Sequence, residues 1–276
     1  MQLQASKYTI VNNDFLPATE ASLKITDLGL QRGYGIFDFF KIIDGEVKFL
    51  EDHLDRFYNS AAQMHLPVDK TSDELKAMLF ELMKKNDLPE SGIKITLTGG
   101  YSPDGYTIAK PNTIITQQAL MLNKGDITPG IKLITYSHQR QLAHVKTLDY
   151  LMAIWLQPLI KENGADDVLY HSHGIVRECP RANFFIVTQN NEVITTATNI
   201  LKGIVRKQLL NIKDSGFTIT ERDITIEDLH QCKEAFITSS TKNVLPVIAI
   251  DGKAIGKGVA GDVSIQLAAK LKVLLG

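Results

Sequence analysis

Cysteine is almost absent: Cys179 and Cys232 are the two in 276 residues. So few thiols exclude a disulfide scaffold and a four-cysteine zinc site, and leave reduced, buried and inert thiols as the expectation for both. Charge of one sign is not in excess either, with 30 Lys plus Arg against 31 Asp plus Glu and a formal net charge of −1. That balance removes phosphate-rich polymers and anionic membrane surfaces as obvious partners. No run approaches the roughly 18 apolar residues of a membrane span, and residues 1–13 lack a basic start followed by an apolar stretch. A cytoplasmic protein with no membrane or nucleic-acid partner and no metal site is the expectation. Internal repeats and low-complexity tracts are also missing, so solenoids and linkers are set aside. What remains is ordinary globular composition, 44 % hydrophobic and 22 % charged, in a chain long enough for one large or two modest domains.

The patterning alternates strands with helices without a strict strand–helix–strand repeat. Tyr8–Val11 reads as a strand, and residues 36–43, Asp44-Gly45 and 47–50 read as a hairpin, because Asp-Gly suits a tight type I′ turn. Leu50, Leu54, Phe57, Ala61 and Met64 recur at helical spacing, and Thr71 with Glu74 forms a capping box that opens a second helix. Ile93, Ile95 and Leu97 alternate with polar residues, and residues 113–122 make a further strand. Residues 120–129, with Gly125 and Pro129, mark a boundary. Beyond it, Leu148, Leu151, Met152, Trp155 and Leu159 define one face of a helix ending near Gly164. Strands are expected at 168–170, 183–188, 193–195, 235–238 and 247–250, and helices from Gly203 and over 263–274. The pattern predicts an α+β fold in two domains: a smaller N-terminal domain over 1–120, a linker over 121–129 and a C-terminal domain over 130–276.

Few single residues announce chemistry. Lys146 follows apolar Val145 and stands two residues before Leu148, and desolvation there would make it a better amine nucleophile; a lone lysine is more often a solvated surface group. Glu178 precedes an apolar strand, where it would pair with a buried cation or a protonated ring nitrogen, or else with Arg177 or Arg181 at the surface. Gly203-Ile204-Val205-Arg206 opens a helix whose free N–H groups suit an anion, and residues 238–241 gather hydroxyls after a strand. Arg56, on the Leu50–Met64 helix, is a phosphate clamp or an ordinary surface charge.

Taken in order, these segments resemble the fold-type IV, class IV family of pyridoxal-phosphate enzymes, which includes branched-chain and D-amino acid aminotransferases and aminodeoxychorismate lyase. The likeness runs from Asp27 to Gly256. Residues 27–38 look like the family's early Gly-x-Gly-x-aromatic strand, and His53-Leu54-Asp55-Arg56 like its phosphate-arginine helix. Residues 146–151 are similar to the lysine segment, Glu178 with Asn183 and Phe184 to the glutamate segment, and residues 203–206 and 239–241 with Pro246-Val247 to the last two. The resemblance implies pyridoxal 5'-phosphate as cofactor, held by Lys146 as internal aldimine. It places Glu178 at the pyridine nitrogen, Arg56 at the phosphate, and Ile204, Val205, Ser240 and Thr241 as further phosphate contacts. It also implies a homodimer, and a cofactor cleft between the two domains.

Departures from the family bear on substrate. Gly99 stands where D-amino acid aminotransferases carry an arginine for the substrate carboxylate, and Phe37 where they carry a tyrosine. Both argue against the D-specific arrangement. Asp38-Phe39-Phe40 replaces the threonine-containing stretch of the lyases, and Cys179 replaces the glycine that follows the glutamate. Arg32, Tyr34, Tyr101, His138 and Arg140 remain candidates for holding a carboxylate, with Phe37 as a further substrate-binding candidate. The apolar Phe37, Phe39 and Phe40 point to a hydrophobic or branched-chain amino acid, although strand alternation sends at least one of these rings into the core. The reaction expected is transamination between that amino acid and a 2-oxo acid. A lyase on the same scaffold and a non-catalytic cofactor-binding protein are the alternatives.

Overall fold

The computed structural model describes residues 5–121, 125–212 and 216–275. Contacts divide the chain into two compact units, residues 1–122 with 145–149 and residues 123–144 with 150–276. Residues 122–124 of the expected linker lie outside the described residues.

The first unit contains β1 (Tyr8–Val11), β2 (Asp14–Pro17), α1 (Leu28–Arg32), β3 (Gly35–Ile43), β4 (Glu46–Val47), α2 (Leu50–Gln63), α3 (Ser72–Asn86), β5 (Ser91–Thr98) and β6 (Thr113–Ala119). Its six strands form one sheet in the order β2-β1-β6-β5-β3-β4. Strand alternation sends Ile36, Phe40 and Ile42 of β3, Ile93, Ile95 and Leu97 of β5 and Ile115 of β6 to one face. Leu54, Phe57 and Ala61 of α2 and Leu75, Leu79 and Leu82 of α3 cover that face, each large side chain contributing about 1.5–3 kcal/mol by burial. α3 starts where its capping box predicts: Glu74 N–H donates to Thr71 Oγ1 and Thr71 N–H to Glu74 Oε2. The expected second hairpin strand is shorter than 47–50, because Phe49 turns into left-handed backbone (φ 58°) and Leu50 opens α2.

The second unit contains β7 (Ile131–Ser137), α4 (Leu151–Trp155), α5 (Gln157–Glu162), β8 (Asp167–Ser172), β9 (Ile175–Val176), β10 (Glu178–Cys179), β11 (Ala182–Val187), β12 (Val193–Thr195), α6 (Ile204–Leu210), β13 (Ile219–Glu221), β14 (Ile224–Thr225), α7 (Ile226–Gln231), β15 (Glu234–Ser239), β16 (Asn243–Ile250), β17 (Lys253–Ala254) and α8 (Asp262–Leu275). The main path of its sheet runs β13-β12-β11-β15-β16-β7-β8-β9-β14, with β10 on β11 and β17 on β16. β11 is buried at every position, which accounts for its apolar run over residues 184–187. The expected helix from Leu148 is corrected: it begins at Leu151 and breaks into α4 and α5 at Leu156. Its inner side is Leu156, with Met152 and Ile160 packed nearby, whereas Leu151 and Trp155 are exposed. α7 was not legible in the sequence, since its capping box uses Thr225 with Asp228 in place of the commoner Glu.

Candidate active site

Lys146 belongs to the Val145–Asp149 segment that joins the first unit. Phe37 N–H donates to the Lys146 carbonyl at 3.0 Å, Leu148 N–H donates to the Gly35 carbonyl at 2.9 Å, and Ile36 bridges Thr147 antiparallel. β4 covers only Ile42 and Ile43 of β3, so the segment takes the edge left open at the other end of that strand. This register sets Lys146 opposite Phe37 with both side chains on one face. Its Nζ stands 4.4 Å from the Phe37 ring centroid. Gly35 makes the docking possible, because a Cβ there would lie 2.6 Å from the Leu97 carbonyl oxygen and 2.7 Å from Leu148 Cδ1.

An ionic cluster lies on β3 and α2 of the same unit. The Arg56 guanidinium donates from Nε to Asp38 Oδ2 at 2.7 Å and from Nη2 to Oδ1 at 2.9 Å. His53 Nδ1 lies 2.6 Å from Oδ1. Burial alone would raise the Asp38 carboxyl, but Arg56 and His53 beside it overcome that and hold it well below the usual carboxylate range. His53 is pushed down, chiefly by burial and also by the Arg56 and Lys146 charges, against the opposing pull of Asp38. A neutral imidazole donating Nδ1–H to Asp38 follows. Arg56 is thereby fixed through one edge, which leaves its other N–H groups for an anion. Asp38 and His53 were missed as working residues; the available signal was His53 and Arg56 three apart on one helix face.

The second unit carries the other cofactor candidates. Glu178, 4 % exposed, accepts from Arg140 Nε at Oε1 (2.9 Å) and from the Leu201 N–H at Oε2 (3.0 Å). Arg140 also donates from Nη2 to the Ala143 carbonyl at 2.6 Å. A cation distant in sequence, Arg140, is therefore paired with Glu178. Asn183, paired with Glu178 across β10 and β11, donates to the Leu201 carbonyl at 2.7 Å and accepts from the Gly203 N–H at 3.1 Å. That anchors the loop leading into α6. Ile204 and Val205 are buried in the first turn of α6, which has no side-chain cap, so buried N–H groups there lack an intrahelical acceptor. Ser240 and Thr241 form the turn between β15 and β16, where Ser239 Oγ accepts from the Lys242 N–H. An anionic group fits these amides, as it fits the free edge of Arg56 in the first unit.

The remaining candidates are placed as follows. Arg32 is exposed at the end of α1, Tyr34 donates its hydroxyl to the Met64 carbonyl, and Lys24 stands 5.3 Å from the Tyr101 ring. His138 packs edge-on against Tyr170. Phe40 is fully buried in the core, whereas Phe37 and Phe39 are half-buried on the opposite face of β3. Burial pushes the Cys179 thiol well up and the Cys232 thiol up to about 12, which suits inert thiols.

The described residues thus include an amine over an aromatic ring, a carboxylate-clamped arginine and, in the second unit, a buried carboxylate and uncapped helix amides. The amino-transferase class IV family model matches residues 35–250. The chain is 29 % identical over 275 residues to a D-alanine aminotransferase of Bacillus licheniformis, covering 96 % of each. It is 30 % identical over 275 residues to a Methanocaldococcus jannaschii protein provisionally named a branched-chain-amino-acid aminotransferase, covering 95 % of this chain and 94 % of that one. Its fold matches the T.th. branched-chain amino acid aminotransferase with pyridoxamine 5'-phosphate at a TM-score of 0.90 and 24 % identity, over 99 % of this chain and 94 % of that one. The protein belongs to the class IV aminotransferases, and is a pyridoxal-phosphate-dependent aminotransferase of the α+β, fold-type IV architecture.

Proposed function

We propose that the protein transfers an amino group from a hydrophobic amino acid to a 2-oxo acid, with Lys146 as its catalytic residue. The observation that carries this reading is the register that sets the Lys146 ammonium against Phe37, on the strand that also supplies Asp38. Bound pyridoxal phosphate supplies an electron sink for the carbanion left when the substrate Cα loses its proton. Lys146 Nζ is the amine that would hold the cofactor and the base that would move the proton at the substrate Cα. In the first unit Arg56, oriented by Asp38 through two hydrogen bonds, would bind a phosphate; in the second unit the amides of Ile204 and Val205 and the hydroxyls of Ser240 and Thr241 are suited to the same kind of group. Glu178, its carboxylate held by Arg140 and the Leu201 N–H, would favour the protonated form of the cofactor's ring nitrogen. Phe37 and Phe39, half-buried on one face of β3, support an apolar substrate side chain.

Titrating the holoenzyme with leucine, alanine and glutamate of both hands, followed by absorbance, tests this reading. Conversion of the cofactor's visible band to the pyridoxamine form by one donor is expected. Pyruvate release from aminodeoxychorismate without amino transfer would instead support the lyase. A homodimer and a cytoplasmic location belong to the same proposal. Leu151, Ile154 and Trp155 of α4 are 76 %, 61 % and 63 % exposed, an apolar cluster that a second subunit would cover. Two buried, unpaired cysteines suit a reducing compartment, and among the described residues no helix is long and apolar enough to cross a membrane. Light scattering of the holoenzyme is expected to give twice the chain mass.

A further inference from the structure

The second unit contains a cavity of about 620 Å³ whose lining includes none of the cofactor candidates. It is bounded by α4 and α5, by residues 164–167 leading into β8, and by Pro180 and Arg181 at the turn between β10 and β11. That volume falls in the roughly 300–1,000 Å³ range of small-ligand sites. Ile154 and Ile160 supply apolar surface, while Asp166, Asp167, Lys161 and Arg181 supply charge of both signs.

The acidic side is incompletely partnered. Asp167 is 5 % exposed; its Oδ1 accepts from the Val168 N–H at 2.9 Å, whereas its Oδ2 is buried with no hydrogen-bond donor. Lys242 Nζ stands 3.8 Å from that oxygen, beyond hydrogen-bond reach. A buried carboxylate oxygen without a donor carries a desolvation cost that a charged donor removes. Asp166 is exposed and accepts the Lys132 N–H at Oδ2, at 2.8 Å. Among the described residues no ion pair joins either aspartate to Lys161 or Arg181, and neither of those cations has a carboxylate partner. Opposite charges therefore line one cavity without meeting across it.

We propose that this cavity is a second ligand site, for a free α-amino acid with an aliphatic side chain. Its ammonium would sit on the side of Asp166 and Asp167, its carboxylate would take the donors of Arg181 and Lys161, and its side chain would lie against Ile154 and Ile160. A zwitterion with an apolar body is the small molecule that answers both signs at once; a simple acid leaves the aspartates unmatched, and a simple amine leaves the cations so. Pro180 and Arg181 also close the hairpin of β10 and β11, in which Glu178 pairs with Asn183. An occupant of the cavity thus touches the turn that joins these two residues. Ile154 belongs to the apolar α4 cluster assigned above to a second subunit, so the cavity borders that proposed interface without including Leu151 or Trp155. The site does not depend on which amino acid reacts at Lys146.

The test is calorimetry with L-leucine on the enzyme loaded with pyridoxamine 5'-phosphate, whose amine does not react with a second amine. Binding to the wild type is expected, weakened roughly tenfold or more in Arg181→Gln and in Asp166→Asn, as loss of a charge-assisted contact gives. Leucinamide, which lacks the carboxylate, and 4-methylpentanoate, which lacks the ammonium, are expected to bind the wild type about tenfold more weakly than leucine. Both substituted side chains are exposed, so circular dichroism and cofactor absorbance of the variants are expected to match the wild type. Absence of leucine binding would overturn the proposal. So would an affinity independent of residues 166 and 181, which places leucine elsewhere on the protein, or leucinamide or 4-methylpentanoate bound as tightly as leucine.

Discussion

At the scale of single residues, the two ionic clusters make separable expectations. Asp38 is depressed in the fold by Arg56 and His53, so its contribution is fully present above the unfolded aspartate pKa of about 3.9 and is lost as pH falls below that value. His53 is also depressed, chiefly by burial, so the unfolded chain takes up its proton first as pH falls. Stability should therefore decline below about pH 6.5, by up to about 1.4 kcal/mol per pH unit. Denaturant midpoints between pH 7.5 and 5, in wild type and His53→Gln, check this through the loss of that slope in the variant. Arg140→Met leaves Glu178 buried without its cation and is expected to cost about 3 kcal/mol with a large loss of cofactor affinity, read by thermal melts and cofactor titration. Unchanged affinity would remove Arg140 from the site. Lys146, Arg56 and Glu178 stand out in the sequence as candidates because each sits in a segment of distinctive order. Arg140 holding Glu178 does not, because the contact spans 38 residues and depends on a loop conformation that no local pattern encodes.

At the scale of elements, the sequence's periodicities located the long strands and helices and erred where tertiary contacts decided the boundary. Leu148 fits the helical stripe of α4, yet it is drawn off to pair with Gly35 of β3, which shortens the helix to its start at Leu151. The exposed Leu151 and Trp155 belong to the same apolar stripe, so periodicity reported a buried face without saying what covers it. In the proposed reading the β3 edge and the Lys146 segment are the elements on which activity most depends. Gly35→Val places atoms within 2.7 Å of the Leu97 carbonyl and the Leu148 side chain, and is expected to undock the segment. Cofactor loading should fall at least tenfold while far-ultraviolet circular dichroism stays near wild type, because the rest of the sheet does not use that edge. Full loading in this variant would show that segment register does not set Lys146.

At the scale of the whole molecule, relatives named for D-alanine and for branched-chain amino acids match this chain at nearly equal identity, 29 % and 30 %. Family membership therefore leaves substrate choice open, and the proposal places it with Phe37 and Phe39, on the face of β3 that also carries Lys41 and lies against Lys94 and Lys146. The proposal assigns the cofactor to one of those lysines, Lys146. Reduction of the holoenzyme with borohydride, proteolysis and mass spectrometry of the pyridoxyl-labelled peptide decides which. A single label on Lys146 is the expected result. A label on Lys94 or Lys41, or no label on a protein that binds pyridoxal phosphate, would contradict the account.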